Sequence, residues 1–429
     1  MSKRVVVTGM GLLTPLGNTL ETFWENSLNA MPAYDKLEQF MDMDLKSKVA
    51  GVIPEFDYLG RTADPSNSEQ MGRPTVLAVN SAIRAVRNAR LDWSAVDRER
   101  VGVCMANAIA DTPYSEKSFL ELKNEQGYLS YSSDKSLPSY KKGMFSFIAN
   151  EIAEEFGLMG ECFVMSTGCT GGIDAIGYGF DSIRSGDHDI MLCGASEAPI
   201  TYMTIASFDA IGALSVAFND EPKKASRPFD RLRNGFVLSE GSAVLVLEEL
   251  EHAVKREATI YGEIVSFSST NNAYHMTDLP TDGDALAQAM NLAFMDSGLE
   301  PTDVDYINAH GSSTPQNDYF ETAAIKKAFG EHAYQIPISS TKSMVGHPLS
   351  AASAIEIIHC FLAMKEGIAP PTANWEVRDP GCDLNYVPNK GIPKPLSHVM
   401  TNASGFSGIH SVMLLSNTEK SDQVRDKLA

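Results

Sequence analysis

Cys162-Phe-Val-Met-Ser-Thr-Gly-Cys-Thr-Gly-Gly172 is the stretch from which the fold can be read. Its apolar start, Cys162 to Met165, makes a short strand. Ser166 to Gly168 makes a tight turn, and Thr170 to Ser185 a helix with Ile173, Ile176 and Phe180 on one face. Another strand follows at Asp189 to Cys193, closed by Gly194. Strand, glycine turn, helix and strand are the parts of an α/β unit, in which helices cover the faces of a buried, mostly parallel sheet.

The alternation extends both ways. Upstream, Lys3 to Thr8 reads as a buried strand opening on Gly9 and Gly11, Glu21 to Leu28 as a helix, and Lys36 to Ser66 as irregular chain. The third glycine of a dinucleotide-binding turn would fall at Thr14, so that reading is set aside. Val76, Val79, Ile83 and Val86 recur at helical spacing, and Val101 to Asn107 is an apolar strand. The serine- and tyrosine-rich stretch Tyr128 to Tyr140 has no core periodicity and is expected on an exposed or partner-facing surface. Gly235 to Val246 reads as two short strands about a turn at Gly241, and Leu250 to Arg256 as a charged helix.

The second half repeats the plan. A helix over Ala285 to Ser297 leads to a strand at Val304 to Asn308, a helix ending at Phe329, a strand near Ile336 to Ser339 and an apolar helix from Ser350 to Lys365. Strands at Val399 to Asn402 and Ile409 to Leu415 close it. The likeness lies in the order of elements, and it divides the chain into halves of residues 1–255 and 256–429.

The chain has 429 residues and a formal net charge of −20, which argues against general binding to nucleic acid or to an anionic membrane. An acidic partner would need a local basic patch. The six cysteines include no CxxC pair and read as reduced thiols of a cytoplasmic protein. Met1-Ser-Lys-Arg-Val-Val-Val runs straight into a strand, leaving no room for a signal peptide, and no apolar run is long enough to span a bilayer.

Three places could carry chemistry. Cys169 sits at a strand-to-helix turn, where unpaired N–H groups and the positive helix end favour a thiolate. Gly168, Gly171 and Gly172 beside it would leave room for a substrate. A core cysteine is the other reading, and it is adopted for Cys104, Cys193 and Cys360. His310, in Ala309-His-Gly-Ser-Ser-Thr314, stands at the carboxyl end of a strand, where open α/β sheets place ligands. Ser312 and Thr314 offer hydroxyls to the same cavity. His347 lies in Ser339-Ser-Thr-Lys-Ser-Met-Val-Gly-His-Pro348, just ahead of an apolar helix. Inside that helix Glu356 needs a partner, because an isolated buried carboxylate costs several kcal/mol, and Lys342 is the natural one. A structural ion pair with an incidental histidine is the alternative. No cluster has metal-ligand spacing, so no metal is expected.

Together these segments resemble the β-ketoacyl-(acyl carrier protein) synthases of the thiolase superfamily, over nearly the whole chain from Val5-Val-Val-Thr-Gly-Met-Gly11 to Gly405-Phe-Ser-Gly408. Within that group the chain is most similar to the catalytic ketosynthase subunit of type II aromatic polyketide synthases. The likeness is carried by Ser166-Thr-Gly-Cys-Thr-Gly-Gly172, Phe208-Asp-Ala-Ile211, Ala225-Ser-Arg-Pro-Phe-Asp230, Asn234-Gly-Phe-Val-Leu-Ser-Glu-Gly241, Ala273-Tyr-His-Met-Thr277 and Asn308-Ala-His-Gly-Ser-Ser-Thr-Pro-Gln-Asn-Asp318. It also resembles the bacterial anthraquinone-type ketosynthases.

The resemblance implies a thiolase-like fold of two duplicated α/β halves in a layered αβαβα core, with the cysteine in the first half and the histidines in the second. It implies that Cys169 accepts an acyl chain as a thioester, and that His310 and His347 stabilise the enolate formed when malonyl-carrier protein loses CO₂. The N–H groups of Cys169 and Phe406 would form the oxyanion hole, Phe406 would gate the pocket, and Lys342 with Glu356 would order the histidines. Ser312 and Thr314 would hold the pantetheine amides. The chain itself would bind no cofactor, since its substrates ride on the 4′-phosphopantetheine of an acyl carrier protein. The second partner implied is a chain-length factor, a homologue lacking the cysteine, in a heterodimer.

Three positions depart from the family pattern. Ser312 replaces a common threonine, Ser407-Gly-Ile-His410 replaces a Gly-Gly-Thr-Asn run, and Gly212 stands where relatives carry a basic residue that meets the carrier. Other readings stay open. A homodimeric fatty-acid elongating synthase would use the same catalytic residues. A thiolase would need a late cysteine where Phe406 stands. A non-catalytic chain-length or scaffold subunit would leave Cys169 idle.

Overall fold

Ten strands hydrogen-bond into one sheet, and their order carries the repeat. In the first half they are β1 (Val5–Leu13), β2 (Val101–Ala106), β3 (Cys162–Met165), β4 (Ile190–Glu197) and β5 (Gly241–Glu249). In the second they are β6 (Gly262–Asn271), β7 (Tyr306–Asn308), β8 (Ile338–Ser339), β9 (His398–Ser404) and β10 (Ile409–Ser416). Across the sheet the order is β8-β7-β9-β10-β6-β1-β5-β4-β2-β3. Each half therefore has the same internal order, and the halves join where β1 pairs antiparallel with β6. The computed structural model describes residues 2–60, 71–122 and 142–417, so the Tyr128 to Tyr140 stretch lies outside the described residues.

The side-chain alternation of the strands sorts the helices into layers. Val101, Val103 and Met105 of β2 pack outward with α1 (Arg73–Ala89) and α2 (Phe147–Phe156). Their neighbours Cys104 and Ala106 face inward, towards α3 (Gly171–Ser185). In the second half Val412 and Leu414 pack outward with α4 (Asp284–Ser297) and α5 (Pro315–Phe329), while Met413 and Leu415 face inward. Between the two halves lie α3 and α6 (Ser350–Glu366), which touch both. Every residue of α6 from Ser350 to Met364 is buried, as a central-layer helix requires. The result is the five-layered αβαβα arrangement of the thiolase fold.

Several local expectations are corrected. The sheet is mixed: β2 pairs parallel with β3 and β4, and β7 with β8 and β9, but the remaining pairs are antiparallel. Gly9 and Gly11 do not end a strand, because β1 runs through them. A Cβ at Gly11 would stand 2.2 Å from the carbonyl oxygen of Ser81, so these glycines let α1 lie directly on the strand. Gly194 is likewise inside β4. Gly241 opens β5 rather than turning a hairpin. The preceding Leu238–Ser239 strand belongs to a separate small sheet with Asp35–Lys36 and Val49–Gly51.

Candidate active site

Between β3 and α3 the chain makes a three-residue 3₁₀ turn, Gly168–Thr170, with Cys169 at its centre. Gly168 has φ +66°, a left-handed conformation that favours glycine, and open space where a side chain would be. The turn is fastened by Asp174, whose carboxylate accepts from the hydroxyls of Thr167 at 2.5 Å, Thr170 at 2.7 Å and Ser411 at 2.5 Å. Of the three neighbouring glycines, only Gly168 lines the cavity. Gly172 instead lets α3 and α6 approach: a Cβ there would lie 2.7 Å from the backbone nitrogen of Ala354 and from the backbone oxygen of Ser350. Room for substrate was the wrong reason for that glycine.

The backbone N–H groups of Cys169 and Phe406 favour negative charge on the Cys169 sulfur, but burial outweighs them and pushes the thiol up to about 11. Lys342 opposes that rise and Glu197 adds to it. The resting group is therefore a thiol, contrary to the thiolate expected from the helix terminus alone. The neighbouring amide hydrogens can meet negative charge only when it develops at the sulfur or on an attached carbonyl.

His310 follows β7 and His347 follows the short helix Lys342–Val345; both are buried, and their ring centroids are 5.4 Å apart. Burial, with Lys342 as the next cause, holds both imidazoles well below their ordinary value, so they are neutral. The Nδ1 atom of each ring is enclosed, with no hydrogen-bond partner among the described residues. Lys342 Nζ donates to the Glu356 carboxylate at 2.5 Å and to the His310 carbonyl oxygen at 2.7 Å. Burial pushes the Glu356 carboxyl up to about 7 against the pull of Lys342.

Cys169, His310 and His347 line one cavity of about 490 Å³, with Ser312, Thr314 and Phe406 in its wall. The hydroxyls of Ser312 and Thr314 are 2.8 Å apart, and Thr314 also caps α5 by accepting from the Asn317 N–H. The Phe406 ring is 38% exposed and lies 6.4 Å from Phe208, centroid to centroid, at the cavity mouth. Gly212 lines the cavity too, with open space where a side chain would be. Thus the eight residues singled out in the sequence converge: six line one cavity, and Lys342, with Glu356 behind it, reaches it through the His310 carbonyl.

The profile of the beta-ketoacyl synthase N-terminal domain matches residues 2–253, and that of the C-terminal domain matches residues 261–376. The chain belongs to the beta-ketoacyl synthase family. Its activity is accordingly that of an acyltransferase that condenses acyl units. It is 42% identical to the tetracenomycin polyketide synthase ketoacyl synthase alpha subunit of Streptomyces glaucescens, over 97% of this chain and 98% of that one. It also matches the solved complex of a type II polyketide synthase acyl-carrier protein with its ketosynthase bound to the hexaketide. That match has a TM-score of 0.91 and 40% identity, covering 97% of this chain and 100% of that one. A third likeness is to the ishigamide ketosynthase/chain length factor, with a TM-score of 0.88 and 30% identity over 97% and 100% of the two chains.

The synthase fold also recruits residues that the sequence reading passed over. Glu321, buried on α5, accepts from the backbone N–H groups of His310 at 2.7 Å and Gly311 at 2.8 Å, and from the Asn402 amide at 2.6 Å. Its sequence neighbours Phe320 and Thr322, with Asp318, Lys326 and Lys327 close by, do not set it against an apolar background as Ile355 and Ile357 set Glu356. Arg233 ties the wall of the synthase cavity from behind, donating to the carbonyl oxygens of Thr314 at 3.4 Å and Pro315 at 3.2 Å. Glu197, at the end of β4, accepts from the Ala108 N–H and the Ser350 hydroxyl, both at 2.5 Å. Burial pushes it up to about 8. Among the described residues no group of His, Cys, Asp and Glu is placed to hold a metal ion, and no helix is long and apolar enough to cross a membrane.

Proposed function

We propose that this synthase is the catalytic ketosynthase subunit of a type II polyketide system, with the nucleophile supplied by residues 1–255 and the histidines by residues 256–429. Cys169 Sγ attacks the thioester carbonyl of a carrier-bound chain, and its proton leaves with the departing pantetheine thiol. Malonyl-carrier protein then enters, with Ser312 and Thr314 meeting the pantetheine amides. As CO₂ departs, the electron pair of the broken C–C bond forms a thioester enolate. An enclosed lone pair costs less than an enclosed N–H, so each histidine carries its proton on Nε2 and donates it towards that enolate oxygen. The nucleophilic carbon attacks the Cys169 thioester, and the N–H groups of Cys169 and Phe406 receive the oxyanion. Collapse expels the Cys169 thiolate, which regains a proton, and leaves a β-keto chain two carbons longer on the carrier. No step requires a cofactor bound by the chain.

The observation that carries this reading is the one cavity that Cys169 and Phe406, whose backbone N–H groups favour negative charge on the sulfur, share with two neutral histidines. Two features support protein partners. Among the described residues the four-residue strand β3 is the outer strand of the sheet and carries no charge, and a free edge of this kind is a template for pairing with another chain. The second homologue expected there is a chain-length factor, as in the ketosynthase/chain length factor structure that this chain resembles. The mouth is lined by apolar Ile211, Phe208 and Phe406 with Gly212 beside them, so charge for docking an acidic acyl carrier protein would come from elsewhere on the assembly.

The test is reconstitution. The chain is expressed with and without the neighbouring cysteine-free homologue and supplied with malonyl-carrier protein, and carrier-bound products and modified peptides are read by mass spectrometry. Acylation at Cys169 and extension that needs an equimolar pair are expected. Acylation mainly at Cys104, Cys193 or Cys360 overturns the nucleophile. A homodimer that elongates unaided overturns the polyketide reading in favour of fatty-acid elongation.

A further inference from the structure

His410 stands where the family pattern has asparagine, and the structure gives it two ties. It is fully buried near the start of β10, opposite Ser404 at the last paired position of β9. The hairpin between them contains Gly405 and Phe406, which line the cavity, with Phe406 at its exposed side. His410 Nδ1 lies 2.9 Å from Ser404 Oγ, and Nε2 lies 3.3 Å from Asn272 Nδ2. Asn272 follows β6 and begins the loop whose Thr277, Asp278 and Leu279 form another part of the mouth. The ring is stacked on Phe320 of α5, with centroids 5.0 Å apart and planes 27° from parallel.

The hydrogen-bond directions follow from the neighbours. Asn272 Oδ1 accepts the Tyr274 N–H at 3.1 Å, so its Nδ2 must face His410 and donate. His410 Nε2 is then the acceptor, and Nδ1 carries the proton and donates to Ser404 Oγ. Burial keeps the ring neutral by lowering it to about 4, which preserves this one-donor, one-acceptor arrangement. The loops meet above the ring as well, where Ser407 N–H donates to the Met276 carbonyl at 2.6 Å and Asn271 Nδ2 to the Ser407 carbonyl at 2.8 Å.

We propose that His410 is a positioning residue that cross-ties the Gly405–Gly408 turn to the 272–279 loop, and so sets both the placement of the Phe406 N–H and the closure of the mouth. The inference rests on the reading of Phe406 as gate and oxyanion donor. Stacking on Phe320 fixes the ring plane, and the two ring nitrogens then fix one loop each. A side chain with only one hydrogen-bonding end, or none, would leave the turn and the loop held together only by the bonds of Ser407, Gly408 and Asn271 outside the ring.

The test uses His410→Phe, which keeps the stacking and loses both hydrogen bonds, and His410→Gln, which retains one donor and one acceptor. Two readouts are taken on the assembled enzyme: turnover of malonyl-carrier protein, and the ratio of Cys169 labelling rates for bulky cerulenin and small iodoacetamide. The His410→Phe variant is expected to lower kcat about tenfold, as loss of buried hydrogen bonds near a reacting centre does, and to raise the labelling ratio several-fold as the mouth loosens. His410→Gln should restore most of both. Should His410→Phe fail to fold, Asn272→Ala removes the outer tie alone and should raise the ratio in the same direction. Phe406→Ala separates the two hypotheses. If it shifts the ratio while His410→Phe and Asn272→Ala do not, the cross-tie is wrong and the gate stands. If Phe406→Ala leaves the ratio unchanged, the gate reading itself falls.

Discussion

The ammonium of Lys342 donates to the main-chain carbonyl of His310 at 2.7 Å while holding the Glu356 carboxylate at 2.5 Å, with both side chains almost wholly enclosed. One buried cation thus fixes a backbone position of the histidine loop and neutralises a carboxylate from the central helix. Breaking such a pair from one side leaves an uncompensated buried charge and costs about 3–5 kcal/mol, whereas replacing both partners can be nearly neutral. Lys342→Met and Glu356→Leu should therefore each destabilise strongly in urea unfolding, and the double variant should be more stable than either. Malonyl decarboxylation should remain impaired in Lys342→Met and in the double variant, because in both the His310 carbonyl has lost its donor. A double variant as unstable as the sum of the singles would show that the pair is not coupled.

A thiol pushed to about 11 should betray itself by its alkylation profile. Only the thiolate reacts, so the iodoacetamide rate at Cys169 in the resting enzyme should climb steadily from pH 7 to beyond 9. Lys342 lowers this pKa, so its replacement by Met should slow alkylation at every pH in that range. A rate that is flat between pH 7 and 9 would mean that the resting group is already a thiolate.

His310→Ala and His347→Ala should separate the half-reactions. Losing one donor to a developing oxyanion costs about 3–4 kcal/mol, or 10²–10³ in rate, and that loss should appear in CO₂ release from malonyl-carrier protein. Acylation of Cys169 should survive better, since in the proposed mechanism its oxyanion would be met by the Cys169 and Phe406 amides. Equal loss of both half-reactions in His347→Ala would count against this division of labour.

The elements that could be read in the sequence are those whose pattern is set by burial of one face. Val76, Val79, Ile83 and Val86 mark α1, and the run after Gly172 marks α3, to within a few residues. The site was readable where a polar residue stood against an apolar background, as Glu356 does. Glycine was the source of most errors, because the letter does not say whether it serves φ or proximity. Gly168 serves φ, whereas Gly9, Gly11 and Gly172 serve the approach of a helix contributed from elsewhere in the chain. Such a partner is invisible locally. The same holds for Glu321 and Asp174, whose carboxylates matter through the backbone N–H and hydroxyl groups that the fold brings to them.

Glu197 offers a stability test. Its carboxyl is buried and raised to about 8, so the folded state keeps the proton while the unfolded chain loses it near the ordinary carboxylate value. The stability from this group is full below the unfolded value and declines until pH passes about 8. Glu197→Gln cannot ionise and should escape that decline. The difference in melting temperature, Gln variant minus native, should grow more positive from pH 5 to pH 8. A difference that stays constant, or that shrinks with pH, would show Glu197 to be ionised in the fold at low pH.

Gly168 and Gly172 should fail in opposite ways when each is replaced by alanine. At Gly172 the new methyl would stand 2.7 Å from backbone atoms of Ala354 and Ser350, and backbone cannot step aside as a flexible side chain can. The two central helices must separate, and overpacking of this kind costs about 1–3 kcal/mol. That loss should appear as a lower melting temperature. At Gly168 no atom of the described residues lies within 4 Å of the new Cβ, so none of them is displaced, but φ +66° is unfavourable for alanine by about 1–2 kcal/mol. Relaxing that torsion turns the peptide leading into Cys169 and moves its N–H away from the sulfur. Gly168→Ala should therefore lose more acylation rate than stability, and Gly172→Ala more stability than acylation rate. The same ordering of the two variants in both measurements would mean that the turn and the helix crossing are one rigid unit, and that the glycine run does not divide its duties as the geometry indicates.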